Sequence, residues 1–179
     1  MKLVKSKIKL IVISSFFIIF TGCSQSAFKY FDKSEEFVQN AQYTQVLKIV
    51  ENDIVKAMAN ITYLNSADSE KWDNGKQNFI IGQYIIEKEN ANYSLDLIVE
   101  KRKKIQLDKD NIEYEIIKYQ PSSTKVIDKK DSLYSQIPFR NSWAEYKLVT
   151  FEDIKEDKRF SFVFKDNKQN SVKTTFIKE

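Results

Sequence analysis

Asn-Phe-Ile-Ile-Gly-Gln-Tyr-Ile-Ile-Glu, residues 78–87, is the stretch that decides the fold. It is an apolar run suited to a central β-strand, rich in β-branched and aromatic residues. Gly82 inside it marks a bulge or a close backbone approach. Asn74-Gly75 before it is a favoured tight turn, and Asn90-Ala91-Asn92 after it is a second turn. Tyr93, Leu95, Leu97 and Val99 then alternate with Ser94, Asp96, Ile98 and Glu100, the period of a strand with one face inward. Ile112, Tyr114 and Ile116 continue this pattern after a turn at 108–111. Further strands are read at Glu145–Phe151, around Phe160, Phe162 and Phe164, and around Val172, Thr174 and Phe176. Residues 120–145, with Pro121 and Pro138, form the longest irregular stretch.

Working back toward the N-terminus, residues 44–65 fit two patterns. Val46, Val50, Ile54 and Met58 lie on one helical face. Val55, Ala57, Ala59, Ile61 and Tyr63 alternate as in a strand, with Asn52-Asp53 as the turn of a hairpin between 45–51 and 54–64. The density of β-branched residues favours the hairpin. Ser34-Glu35-Glu36-Phe37 offers a cap and first-turn acids for a short helix over 34–43. The expected fold is mostly β: an antiparallel β-sandwich, immunoglobulin-like by base rate, preceded by a short N-terminal helix.

Residues 1–9 carry Lys2, Lys5, Lys7 and Lys9 and no acid, and residues 10–20 are an apolar stretch. A helix crossing a bilayer needs about 20 apolar residues, so the stretch suits a secretory signal better than a span. Thr21, Gly22 and Cys23 follow at once. Phe20-Thr21-Gly22-Cys23 resembles the lipobox of bacterial lipoproteins, with Phe20 where the usual pattern has Leu. The resemblance implies cleavage between Gly22 and Cys23. It also implies a diacylglyceryl thioether on the Cys23 sulfur and an acylated Cys23 amine. It divides the chain into a signal peptide at 1–22, a lipidated tether at 23–33 and a single domain at 34–179. The anchored domain would then lie in the bacterial cell envelope. Ser24, which is not Asp, is compatible with the outer membrane; whether it faces periplasm or exterior stays open. Cys23 is the only cysteine, so no disulfide forms within the chain.

The charges fit this division. The chain has 29 Lys and Arg against 25 Asp and Glu. Without the four signal-peptide lysines the rest balances to zero, which gives no overall charge for nucleic-acid binding. Lys101-Arg102-Lys103-Lys104 is the sharpest basic run, read as a polar strand end or loop in preference to a patch for anionic headgroups.

The catalytic inventory is short. There is no His, and the only glycines beyond the signal are Gly75 and Gly82. That removes Ser-His-Asp and Cys-His catalysis, His-ligated zinc and glycine-rich phosphate loops. No spacing singles out the remaining carboxylate, Lys, Tyr or Ser groups, and the expectation is a protein that is not an enzyme and uses no cofactor or metal. Asp108, Asp110, Asn111 and Glu113 cluster locally, but without the glycine and later Glu of a calcium loop they read as a solvated turn. The best candidate for recognition is Ile137–Tyr146, where Phe139, Arg140, Trp143 and Tyr146 are residue types enriched at binding hot spots. The competing reading, favoured by the usual burial of large aromatics, is that Phe139 and Trp143 plug one end of the sandwich. The expected partner is an envelope protein or glycan.

Overall fold

The computed structural model describes residues 34–86, 92–103, 113–154 and 158–178. The lipobox-like segment with Cys23, the tether and the acidic turn at 108–111 lie outside the described residues. Among the described residues, no helix is long and apolar enough to cross a membrane.

Helix α1 (Glu35–Gln42) opens the domain with Glu35 and Glu36 in its first turn, where acids favour the exposed N–H groups. Strands β1 (Thr44–Glu51) and β2 (Ile54–Tyr63) follow as a hairpin. Asn52 and Asp53 both have positive φ, at 52° and 63°, as a tight two-residue turn requires. The helical alternative for 44–65 is thereby set aside.

Two four-residue helices, α2 (Leu64–Ala67) and α3 (Ser69–Trp72), lead into β3 (Lys76–Ile85). Asn74-Gly75 therefore turns a helix into a strand and does not join two strands. Asn65 holds this corner: its Nδ2 donates to the carbonyls of Trp72 and Lys76, and its Oδ1 accepts the N–H of Asn78 at 2.7 Å.

The remaining strands are β4 (Tyr93–Lys103), β5 (Glu113–Tyr119), β6 (Ser123–Val126), β7 (Glu145–Glu152), β8 (Arg159–Asp166) and β9 (Ser171–Ile177). A short helix, α4 (Ser132–Gln136), lies between β6 and β7. All pairings are antiparallel, in one sheet of order β1-β2-β3-β7-β6 and another of order β5-β4-β8-β9. The expected antiparallel sandwich is the architecture found. Its strand order is also that of an immunoglobulin-type sandwich: β2-β3-β7-β6 runs as A-B-E-D and β4-β8-β9 as C-F-G, with β1 added beside β2 and β5 beside β4.

The inward faces of the two sheets meet in an aromatic core. Phe79 on β3 is fully buried, with ring centroids 5.0 Å from Tyr63 and Phe162, 5.6 Å from Phe160, 5.9 Å from Phe151 and 6.0 Å from Phe176. Most of these contacts are edge-to-face, the arrangement that the ring quadrupoles favour. Phe160, Phe162 and Phe176 come from the sheet opposite Phe79, so this one ring ties both layers. A second apolar cluster covers the outer face of the five-stranded sheet. There Ile80 and Tyr146 pack with Leu64, Ile127, Leu133 and Ile137 from the short helices and loops. Strand β3 is thus covered on both faces, as its unbroken apolar run requires.

Truncating Phe79 to Ala should destabilise the domain by about 3–5 kcal/mol in urea unfolding. Ile116→Ala, at a side chain 64% exposed, should change it by less than about 0.5 kcal/mol.

Candidate recognition surface

The segment between β6 and β7 is held by short polar contacts that fix its path. Asp128 Oδ1 accepts the N–H groups of Lys130 and Asp131. Asp131 caps α4 by accepting from Leu133 N–H at 3.0 Å, and Lys125 Nζ donates to its other oxygen at 2.7 Å. These contacts hold the Asp131 carboxyl below the usual aspartate range.

Beyond α4 the chain turns sharply. Phe139 takes φ 50°, an uncommon conformation for a bulky side chain. Its carbonyl accepts from Asn60 Nδ2 on β2 at 3.2 Å, which fastens the loop to the outer face of the sheet. Arg140 donates to the Tyr134 carbonyl at 3.0 Å and lies over the Tyr134 ring, 5.1 Å from its centroid. Asn141 makes three contacts: its N–H donates to the Tyr146 hydroxyl at 2.7 Å, its Oδ1 accepts from Trp143 N–H, and its carbonyl accepts from Ala144 N–H. The result is a closed turn that presents Trp143.

Tyr146 is the support beneath this turn. It pairs across β3 with Gly82, and a Cβ built on Gly82 would lie 2.2 Å from the Tyr146 ring. The glycine therefore clears space for an aromatic ring from the adjacent strand. The ladders on either side run through Gly82 without a register shift, so the bulge alternative is set aside. Burial pushes the Tyr146 hydroxyl above its ordinary pKa, against the opposing pull of the Asn141 N–H.

The four candidate residues therefore divide. Trp143 is 79% exposed, and Phe139 and Arg140 are also exposed. Neither Phe139 nor Trp143 plugs the sandwich. Tyr146 is only 2% exposed, so its role is to seat the loop, which corrects the expectation that it contacts a partner. Trp72 packs, half-buried, against the second apolar cluster.

Beside Trp143 lies a recess of about 430 Å³ lined by Gln83, Tyr84, Ile85, Ile86 and Glu145. Ile86 is exposed there, and Tyr84 shares the outer face of the sheet with its cross-strand partner Met58. Tyr84 and Ile86 are not found by loop composition, because they lie at and just beyond the far end of β3.

The chain matches no family model, no curated protein and no solved structure.

Acid–base groups give a different picture. Among the described residues, no group of three or more Asp, Glu, Cys or His could hold a metal ion. Of the basic run, Lys101 is half-buried near the end of β4, and Lys104 lies outside the described residues. Asp96 is largely buried and bridged by Lys118 at 2.6 Å and Lys165 at 3.2 Å. Burial alone would raise its pKa; the two lysines outweigh that and hold it below the usual value.

Two outcomes follow. Gly82→Ala should cost about 1–3 kcal/mol by overpacking, and much of that penalty should vanish in a Tyr146→Ala background, as a double-mutant cycle by urea unfolding would read. Asp96→Asn should lower stability at neutral pH. A carboxyl with a depressed folded pKa stabilises above its unfolded pKa, so the difference from wild type should shrink as pH falls below about 4.

Proposed function

We propose that this protein is a lipid-anchored lipoprotein of the bacterial cell envelope, on the outer membrane, that binds a partner without catalysis. The observation that carries the binding half is Trp143: a large apolar ring, 79% exposed, held on a hydrogen-bonded turn beside a recess. Holding such a ring in water has a cost that a binding surface recovers, and Trp and Arg are enriched where binding energy concentrates. Arg140 and Phe139 flank it. The aliphatic wall supplied by Ile85 and Ile86 favours a protein partner over a glycan.

The anchoring half rests on the signal-like segment and Cys23. Each buried methylene of an acyl chain contributes about 0.8 kcal/mol, so several chains together hold a domain stably at a bilayer. The tether is short and not rich in Gly or Pro, which keeps the domain near the lipid surface. A second reading, a subunit of an envelope assembly, draws on the sheet edges at β5 and β9, of which β5 carries exposed Ile116.

Replacing Cys23 with Ser should move the protein out of the membrane fraction and leave its signal segment uncleaved, read by fractionation and by the mass of the mature N-terminus. In the anchored protein, Trp143→Ala should reduce capture of the envelope partner by at least about tenfold with an unchanged unfolding midpoint. Capture that is equal for wild type, Trp143→Ala and Arg140→Ala would remove this loop from the reading.

A further inference from the structure

The sandwich is not closed at every corner. Strand β4 pairs with β8 from Tyr93 onward, but its ladder with β5 ends at Leu97–Tyr119. Residues 120–122 then carry the chain across to the other sheet, where β6 adds only four residues. The sheets part here around a cavity of about 320 Å³. Its floor is the main core itself: Leu97, Phe151 and Phe162 are buried side chains that line it, with Ile81 and Val149 beside them. At ~30 Å³ per water-sized group, it has room for about ten.

The side chains at its mouth break the pattern of the sheet. On β7 the positions on the inward face are Glu145, Lys147, Val149 and Phe151, by period two and by pairing of Lys147 with Ile81. Val149 and Phe151 are buried, whereas the Lys147 side chain is 38% exposed and stands where this face opens to solvent at the mouth. An inward lysine can protect a sheet edge, but β7 is covered by β6, and Val126 pairs directly with Lys147. Edge protection therefore does not account for it. On β3 the inward series Phe79, Ile81 continues as Gln83, also at the mouth. Lys147 reaches Glu145 at 2.9 Å, an exposed pair that contributes little and exchanges readily. Lys118, also at the mouth, is neutralised by Asp96, whose carboxylate Lys165 shares.

We propose that this inter-sheet cleft binds a small amphipathic anion, with its apolar body on Leu97, Val149, Phe151 and Phe162 and its charged group at Lys147. Pockets of this size with an apolar floor and a few placed polar groups are the usual form of small-ligand sites. The apolar floor of the cleft lies on the opposite face of the five-stranded sheet from the cluster that seats the Trp143 loop, although Gln83 borders both the cleft and the recess beside Trp143, and Lys147 pairs with Glu145 of that recess.

The probe is 4-phenylbutyrate, titrated calorimetrically into the full-length protein in its membrane carrier, with the empty carrier as blank. One saturable site per chain is expected. The matched amine, 4-phenylbutylamine, should bind at least about tenfold more weakly. Thr124→Trp, which fills the mouth from exposed β6, should abolish binding. Lys147→Glu should reverse the preference toward the amine, and it keeps the test alive should Thr124→Trp fail to fold. Trp143→Ala should bind the probe as wild type does. The proposal is overturned by the absence of a saturable site, by equal affinity for the two probe charges, or by a folded Thr124→Trp that binds normally.

Discussion

The packing of Phe79 against five other rings is the contact on which the rest of the molecule depends. A sandwich of two sheets is stable only when both inner faces are covered, and here one side chain touches rings from both layers. With Phe79 at the centre of the inter-sheet core, β3 must be an inner strand, and β2 and β7 must flank it. Its other face then presents Ile80 outward, which cannot be left in water at that position. The helices and loops at 64–72 and 127–144 are the cover for that second face.

This explains why the irregular segment before β7 is ordered enough to display a tryptophan. It is anchored by its own apolar residues, Ile127, Leu133 and Ile137, against the back of β3. Polar contacts then set its finer path, from the Asp131 cap to the Asn141 turn. The exposed end of the loop is carried by a buried stem. Such an arrangement keeps the entropy cost of ordering the contact residues inside the folding reaction, so that less is left to be met on binding.

Much of this was legible in the residues. The helix over 34–43, the Asn52-Asp53 turn and most strands of strong alternation are found within about two residues of where the pattern places them, although β4 runs on to Lys103 and Ile116, read as part of an inward series, is 64% exposed. These signals are local: a turn that needs positive φ, or a face that must be apolar every second residue. What was not legible depends on contacts from a distance. Strand β6, Ser-Thr-Lys-Val, is wholly exposed and has no apolar face to announce it; its ladder to β7 defines it. Helices α2, α3 and α4 have four or five residues each, too few for a period, and the Asp68 and Asp131 caps are common residues. The burial of Tyr146 follows from a glycine on a neighbouring strand far away in sequence, and no pattern within residues 137–146 contains that glycine.

The same glycine explains how two dissimilar surfaces coexist on one strand. On β7, Tyr146 points outward to the loop and Lys147 points inward to the cleft. A slip of one residue would exchange them, burying the tyrosine in the cleft and pressing the lysine against the cover of the second cluster. Alternation of apolar residues protects poorly against such a slip here, because Leu148, Val149 and Phe151 leave apolar groups on both faces. The ring of Tyr146 needs a cross-strand neighbour without a Cβ, and β3 has one such residue, Gly82. The Tyr146–Gly82 pair therefore sets the register of β7 by shape, and with that register set, the exposed tryptophan and the inward lysine each stand on their own side of the sheet.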